Sequence, residues 1–207
     1  MRAFIFDLDG TLIDSQEDIL AAFSYAFDGL GLPAPPRAEL LSVIGKRLED
    51  CFSQFLGRDG AAGARLFRIW YSEHCLDHTR PYPGVGETLQ GLSAMHPLAL
   101  CTMKKFDFAR KLVRHFGWES LFKPVLGSEE GFAPKPSPDM LIELCRRLRV
   151  LPGEVLYVGD TALDAKMAAA AGMPFAFATW GYGSIPDLEG LPVHSILGHL
   201  EDLRPLP

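Results

Sequence analysis

Two aspartates follow directly behind a short apolar run near the start of the chain. Residues 3–7 are predicted as a strand, and side chains two positions apart on a strand point to the same side, so Asp7 and Asp9 face one space. At close range each carboxylate disfavours ionisation of the other, and a divalent cation or a retained proton relieves that repulsion. Gly10 behind them allows a sharp turn and a close approach of the backbone to a ligand. A polar strand exit before a turn is the alternative for an isolated pair.

Two later loops carry groups that can bind an anion. Predicted strand 98–102 ends in Thr102, a hydroxyl donor, and Lys104 and Lys105 follow it. A solvated loop accounts for at least one of these two lysines. Lys135 lies between two prolines, which restrict the backbone on both sides of it. It also precedes a predicted helix N-terminus, where amide donors favour an anion, although a plain surface-loop lysine remains the alternative.

A second pair of carboxylates follows predicted strand 155–159. Asp160 stands at the strand end, and Asp164 lies one turn inside a helix that begins near residue 161, on the side facing back towards Asp160. Taken alone, Asp160 also suits a helix cap. Together, however, the polar groups at these strand ends are all costly to bury unless they share a ligand. The pattern therefore predicts a ligand site beyond the carboxyl ends of the strands.

Short apolar segments alternate with helical patterns along most of the chain. Strands are predicted over residues 3–7, 98–102, 124–127, 155–159, 174–178 and 193–196, and helices over about 84–95, 106–117, 138–149 and 162–172. Most of the strand segments are continuously apolar, as in strands covered on both faces, and the alternation implies a parallel sheet with right-handed crossovers. Residues 16–80 have helical spacing and far exceed one crossover. We therefore expect an α/β core of residues 1–15 and 81–207 with a helical insertion at 16–80.

Composition excludes several classes of protein. With 48% hydrophobic and 22% charged residues, the 207-residue chain can bury a sizeable core. A net charge of −6 argues against a nucleic-acid partner. The apolar stretches are shorter than a membrane span, the N-terminus shows no signal-peptide pattern, and the four cysteines have no metal-ligand spacing. We expect a cytoplasmic protein with reduced thiols and no membrane partner.

The motifs DLDGT, CT, KPSPD and GDTALD, in this order and at strand ends, resemble those of the haloacid dehalogenase superfamily of phosphatases. The insertion directly after the first motif resembles the cap of the subclass that includes phosphoglycolate phosphatase and β-phosphoglucomutase. The resemblance covers nearly the whole chain. It implies a Rossmann-like parallel sheet core flanked by helices, with an inserted all-helical cap domain. Met103 departs from the pattern, because related phosphatases often carry Asn there, and the departure bears on the choice of substrate.

The resemblance also implies a reaction and roles for residues. The reaction is Mg²⁺-dependent hydrolysis of a small phosphorylated metabolite, with phosphoglycolate the leading candidate, by a monomer or homodimer. Asp7 would attack phosphorus to form an aspartyl phosphate, and Asp9 would protonate the leaving oxygen and then activate water. The implied metal ligands are Asp7, the backbone carbonyl of Asp9 and Asp160, with Asp164 supporting the metal directly or through water. The implied phosphate-binding residues are Gly10, Thr11, Thr102, Met103 and Lys135.

Other features leave alternatives open. In the insertion, Lys46 or Arg47 would hold a second anionic group of the substrate, or belong to a solvated face. His74 and His78 have a spacing that can bind a metal on a helix, but an exposed helix is the usual reason for it. For the chain as a whole, phosphoryl transfer between hydroxyls of one sugar phosphate and a non-catalytic phosphate-binding module are the competing hypotheses.

Overall fold

The computed structural model describes residues 1–128 and 131–203 of the chain, and it forms two compact units. The larger unit contains Met1–Asp14 and the described part of Pro81–Pro207, and the smaller unit is Ser15–Arg80. The strands are β1 (Ala3–Phe6), β2 (Ile13–Asp14), β3 (Arg80–Pro81), β4 (Leu98–Cys101), β5 (Phe122–Leu126), β6 (Val155–Gly159), β7 (Phe175–Ala178) and β8 (Ser195–Leu197). The α-helices are α1 (Gln16–Gly29), α2 (Arg37–Leu41), α3 (Leu48–Leu56), α4 (Ala61–His74), α5 (Val85–Ser93), α6 (Phe106–His115), α7 (Asp139–Leu148) and α8 (Ala162–Ala171).

The larger unit is built on a parallel sheet of six strands in the order β5-β4-β1-β6-β7-β8. Every residue of β1, β4, β6 and β7 is buried, which explains why these segments are continuously apolar. The predicted α/β class is confirmed. The edge strands differ from prediction: β5 begins at Phe122, before the predicted residue 124, and β8 pairs through Ser195, Ile196 and Leu197 instead of 193–196.

Helices pack on the sheet through their apolar faces. Met140, Leu141 and Leu144 of α7 belong to the same buried cluster as Ala165 and Ala168 of α8. That cluster continues into inward-facing residues of the strands, so the sheet and these helices form one core. The core fixes the strand ends relative to one another, and this is what brings the candidate site together.

The insertion is helical, as predicted, but α2 was not predicted. This short helix begins at Arg37, directly after Pro36, and no separate element was predicted there within the helical segment 16–80. The interior of the unit is aromatic, with the ring of Phe23 lying 5.1 Å from the rings of both Phe52 and Phe67. The buried carboxylate of Asp18 accepts hydrogen bonds from the backbone N–H of His78 (3.0 Å) and of Thr79 (2.8 Å). It therefore ties the first turn of α1 to the end of the unit.

The two histidines do not share a helix. Helix α4 ends at His74, so His78 lies beyond it and the four-residue spacing does not place the two side chains on one helix face. The His74 Nδ1 atom is 2.8 Å from Asp77, and the His78 Nδ1 atom is 3.0 Å from Asp18. Across the described parts of the chain, no helix has the length and apolar character needed to cross a membrane.

Candidate active site

The ends of three neighbouring strands converge because of the strand order. Strand β1 lies between β4 and β6 and is parallel to both, so the residues that follow each strand meet at one edge of the sheet. Asp7 follows β1, Thr102 follows β4 and Asp160 follows β6, and all three are buried. The predicted gathering of polar residues at the strand ends is thus a consequence of sheet topology.

Three of the four predicted carboxylates form a cluster. Oxygen atoms of Asp7, Asp160 and Asp164 all lie within 4.8 Å of one another, and all three residues are buried. Carboxylate oxygens are the ligands that Mg²⁺ prefers. One buried lysine contacts two of these three carboxylates, so excess negative charge remains and the donor set fits a divalent cation.

Lys135 is the cation inside this cluster. Its side chain is 1% exposed, and its Nζ atom lies 2.9 Å from the Asp7 Oδ2 atom and 2.6 Å from the Asp164 Oδ1 atom. Burial alone would lower the pKa of Lys135, but attraction by Asp164 and Asp7 raises that pKa above its ordinary value. The lysine is therefore charged and is not a surface-loop residue. Helix α7 begins at Asp139, one residue later than predicted. The Asp139 N–H donates to the Ser137 hydroxyl at 3.5 Å.

A capping box aims Asp164 into the site. Thr161 is the N-cap of α8: its hydroxyl accepts from the Asp164 N–H, while its own N–H donates to the Asp164 Oδ2 atom at 3.0 Å. The Asp164 Oδ1 atom accepts from Lys135 and, at 2.6 Å, from the Tyr157 hydroxyl. Burial raises the pKa of Asp164, but the charge and hydrogen bond of Lys135, with the hydrogen bonds of Thr161 and Tyr157, hold it below its ordinary value. Asp164 is an ionised anchor for Lys135.

Asp160 is held by two loops. Its Oδ1 atom accepts from the Thr11 hydroxyl at 2.9 Å, and its Oδ2 atom accepts from the Tyr182 N–H at 2.8 Å. A Cβ atom at Gly10, which has a φ of +78°, or at Gly181 would overlap the Asp160 carboxylate, so both positions need glycine. Burial, then repulsion by the other two carboxylates of the cluster, raises the pKa of Asp160 well above its ordinary value.

The pKa of Asp7 is raised far above its ordinary value. Burial is the main cause that raises its pKa to about 7, with Asp164 and Asp9 adding to the rise and Lys135 opposing it. Its Oδ1 atom accepts from the Leu8 N–H at 2.7 Å. A bound cation would oppose the same burial cost, so the raised pKa is a second sign that the donor set fits a metal.

Asp9 forms an ion pair with a second lysine, Lys104. The Nζ atom of Lys104 lies 3.1 Å from the Asp9 Oδ1 atom, and the Lys104 side chain is only 6% exposed. The solvated-loop interpretation is therefore wrong for Lys104. Lysine side chains are rarely buried unless they are paired.

The other predicted binding residues are placed as follows. Thr102 is buried and its hydroxyl accepts from the Lys104 N–H at 3.1 Å, and Met103 is buried next to it. Thr11 is buried, and its hydroxyl donates to Asp160, so its contact with phosphate stays a prediction. Arg47 belongs to the insertion, where its half-exposed side chain pairs with a glutamate at 3.3 Å; its contact with substrate also stays a prediction.

Sequence reasoning missed Tyr157 and the loop that carries Tyr182. Tyr157 was counted only as part of an apolar strand, although a buried tyrosine hydroxyl needs a partner, and this requirement was the available signal. Tyr182 lies between Gly181 and Gly183. Their close approach to Asp160 depends on the tertiary fold and has no signal in the local sequence.

Comparison with known proteins agrees with this geometry. The sequence profile of a family described as haloacid dehalogenase-like hydrolase matches residues 4–178. A phosphoglycolate phosphatase from Chromobacterium violaceum is 33% identical over 207 residues, which cover 95% of this chain and 93% of that protein. The tyrosine-protein kinase PtkA of Mycobacterium tuberculosis is 32% identical over 181 residues. The matched region is 86% of this chain but spans only 62% of that kinase.

Solved structures give the same result. A haloacid dehalogenase-like hydrolase from Streptococcus pneumoniae superposes with a TM-score of 0.90 at 27% identity, covering 98% of this chain and 96% of that one. A predicted phosphoglycolate phosphatase from Haemophilus somnus superposes with a TM-score of 0.88 at 28% identity, with the same two coverages. The fold is thus shared over nearly the full length of all three chains.

Proposed function

Because this chain belongs to the haloacid dehalogenase-like hydrolase family, we propose that it is a Mg²⁺-dependent phosphatase that forms an aspartyl phosphate on Asp7. The observation that carries the proposal is the buried cluster in which oxygen atoms of Asp7, Asp160 and Asp164 lie within 4.8 Å of one another, with Lys135 paired to Asp7 and Asp164. Such a cluster combines a nucleophile, a cation site and a fixed positive charge, which are the parts needed to bring an anionic phosphate to a carboxylate.

The metal would be held by carboxylate oxygens of Asp7 and Asp160, with the Asp9 backbone carbonyl as a further ligand. When bound, Mg²⁺ would neutralise the repulsion between the carboxylate and the phosphate. Asp164 would contribute by support, since both of its oxygens already accept hydrogen bonds. Thr11 and the Tyr182 N–H would orient Asp160 as a ligand.

In the first half-reaction, a carboxylate oxygen of Asp7 attacks phosphorus, and the bond from phosphorus to the leaving oxygen breaks. Asp9 gives its proton to that oxygen, so the product leaves with a neutral hydroxyl group. Lys135, fixed between Asp7 and Asp164, faces the phosphoryl oxygens and stabilises their charge in the transition state. Thr102 adds a hydroxyl to the same group.

In the second half-reaction, Asp9 is a carboxylate and can act as a base. It takes a proton from a water molecule, whose oxygen attacks phosphorus, and the bond from phosphorus to the Asp7 oxygen breaks. Inorganic phosphate is released, Asp7 is free again, and Asp9 carries the proton needed for the next cycle. The protons and bonds therefore balance over one turnover.

The leading substrate is phosphoglycolate, because relatives that cover nearly the whole chain carry the name phosphoglycolate phosphatase. Its second anionic group, a carboxylate, would be the partner for Arg47 in the insertion. Met103 stands where related phosphatases often carry asparagine, so a different small phosphomonoester is the alternative substrate.

The test is phosphate release from a panel of phosphomonoesters that includes phosphoglycolate, with Mg²⁺ or with EDTA. We expect release only with Mg²⁺ and none from Asp7→Asn, which is the matched control because it keeps the shape of the side chain. Turnover that continues in EDTA, or in the Asp7→Asn variant, contradicts the proposal. Trapping a phosphorylated protein by acid quench, and locating the phosphate at Asp7, tests the intermediate separately.

Transfer of the phosphoryl group to another hydroxyl is the second candidate. It is supported by the relative named as a tyrosine-protein kinase, at 32% identity. The two outcomes differ only in what attacks the aspartyl phosphate, water or an acceptor hydroxyl. Adding tyrosine peptides and sugar phosphates to the assay distinguishes them, because transfer moves phosphate to the acceptor instead of releasing it.

A further inference from the structure

Lys104 is a buried cation to which the proposed reaction assigns no role. Its side chain is 6% exposed, and its Nζ atom is 3.1 Å from the Oδ1 atom of Asp9, whose side chain is 12% exposed. Its neighbour Lys105 is the N-cap residue of α6. Sequence alone does not distinguish these two lysines, but the fold places the Lys104 ammonium group next to the Asp9 carboxylate.

The backbone of Lys104 is fixed by hydrogen bonds although it lies in a loop. Its N–H donates to the Thr102 hydroxyl at 3.1 Å, and its carbonyl accepts from the Ser128 N–H at 3.2 Å. Thr102 is in turn tied to β5 by its N–H, which donates to the Leu126 carbonyl at 3.1 Å. The ammonium group therefore projects from a backbone held on both sides, which is a requirement for orienting another residue.

The two lysines of the site serve different carboxylates. Lys135 contacts Asp7 and Asp164, whereas Lys104 contacts Asp9. We infer that Lys104 is a positioning residue, which holds the carboxyl group of Asp9 in the orientation for proton transfer to the leaving oxygen. This inference rests on the proposed phosphatase function and adds to it the residue that orients its acid–base group.

The physical reason is the rotational freedom of a carboxyl group. The terminal torsion of an aspartate is broad, so packing alone fixes it poorly. An ammonium group can donate to one carboxyl oxygen whether the group is protonated or ionised, so the orientation persists through both half-reactions. Proton transfer needs heavy atoms about 2.6–3.2 Å apart, and a displacement of about 1 Å can cost a factor of about 100.

The inference predicts a dependence on the leaving group. An alkoxide leaving group needs the proton from Asp9 during bond breaking, whereas p-nitrophenolate is stable enough to leave without one. Loss of Lys104 should therefore slow hydrolysis of alkyl phosphates much more than hydrolysis of p-nitrophenyl phosphate. A purely structural or phosphate-binding lysine would affect both substrates by the same factor.

The experiment measures kcat/KM with Mg²⁺ for an alkyl phosphate, phenyl phosphate and p-nitrophenyl phosphate. Lys104→Met should lose about 10- to 100-fold on the alkyl ester and about twofold on p-nitrophenyl phosphate. Lys104→Arg keeps a donor and should recover most of the loss. Asp9→Asn removes the proton donor altogether and should show the strongest dependence of kcat/KM on the leaving group. The matched control Lys105→Met should keep the wild-type dependence.

The outcomes separate the inference from the function on which it rests. If the wild type hydrolyses the esters but Lys104→Met loses one common factor on all three, only the role of Lys104 is overturned. A wild type that hydrolyses none of them removes the proposed function and this inference together. Circular dichroism checks that each variant folds. Lys104→Leu, which also lacks a donor, replaces Lys104→Met if the latter does not fold, with the same leaving-group pattern expected.

Discussion

Without bound metal, the larger unit should lose stability as the pH rises from about 4 to about 7, because Asp7 is buried as an acid. Its pKa is raised from 3.8 to about 7, chiefly by burial. In this range the folded state keeps the proton and the unfolded state has released it. The unfolded state therefore binds fewer protons, and the free energy of unfolding falls with rising pH.

The size of the effect follows from the shift. Each pKa unit corresponds to about 1.4 kcal/mol, so a rise from 3.8 to about 7 corresponds to a loss of about 4 kcal/mol between these pH values. Asp160, whose pKa is also raised, changes stability in the same direction. Asp164, whose pKa is lowered, has the opposite sign, but its contribution is complete above its unfolded pKa and does not vary between pH 5 and 8.

Urea unfolding in EDTA, followed by tryptophan fluorescence at pH 5 and pH 8, measures this loss. Asp7→Asn is the control, because its amide cannot titrate. Of the total shift, the part between pH 5 and the raised pKa of about 7 falls in this window, so we expect the wild type to lose about 2–3 kcal/mol more than the variant. Adding Mg²⁺ should restore stability of the wild type mainly at pH 8, where the ligands are ionised.

The prediction is refuted if the wild type and Asp7→Asn show the same pH dependence of stability. If the free energies of unfolding of the wild type and Asp7→Asn change by the same amount between pH 5 and pH 8, Asp7 does not hold a raised pKa in the folded protein. A wild type that becomes more stable over this range, in EDTA, contradicts the expected sign as well.

Three further substitutions test contacts of the site and of the insertion. Tyr157→Phe removes one hydrogen-bond donor from Asp164, so it should destabilise the larger unit by about 1–2 kcal/mol and weaken inhibition by inorganic phosphate. Unchanged inhibition constants would show that the hydroxyl does not support phosphate binding. Gly181→Ala places a methyl group against the Asp160 carboxylate and should lower Mg²⁺ affinity at least tenfold in calorimetric titration, with wild-type affinity as the contrary result. Asp18→Asn weakens charge-assisted hydrogen bonds and should cost the insertion about 1–3 kcal/mol, seen as faster amide exchange at residues 78 and 79; unchanged exchange there argues against the tie.

Local sequence was sufficient for the core of the fold and for its carboxylates. Continuously apolar segments predict buried parallel strands, since only strands covered on both faces can be apolar throughout. A polar residue directly after such a strand is costly to bury, and for this reason the sequence alone identifies Asp7 and Asp160. Lys135 is identified by a different local feature, its position between two prolines and before a helix N-terminus. The edge strands and α2 were predicted less well, because a strand or helix at the periphery has a weaker apolar pattern.

What the sequence determined by itself is therefore the class of fold and the identity of the charged groups, since both follow from the period of hydrophobic residues and the cost of burying charge. Only the tertiary structure decided how these groups pair. The assignment of Lys135 to Asp7 and Asp164, and of Lys104 to Asp9, depends on distances of about 3 Å between residues far apart in sequence. Such pairing arises when the sheet aligns the ends of its strands, and a linear pattern of residues contains no information about it at that precision.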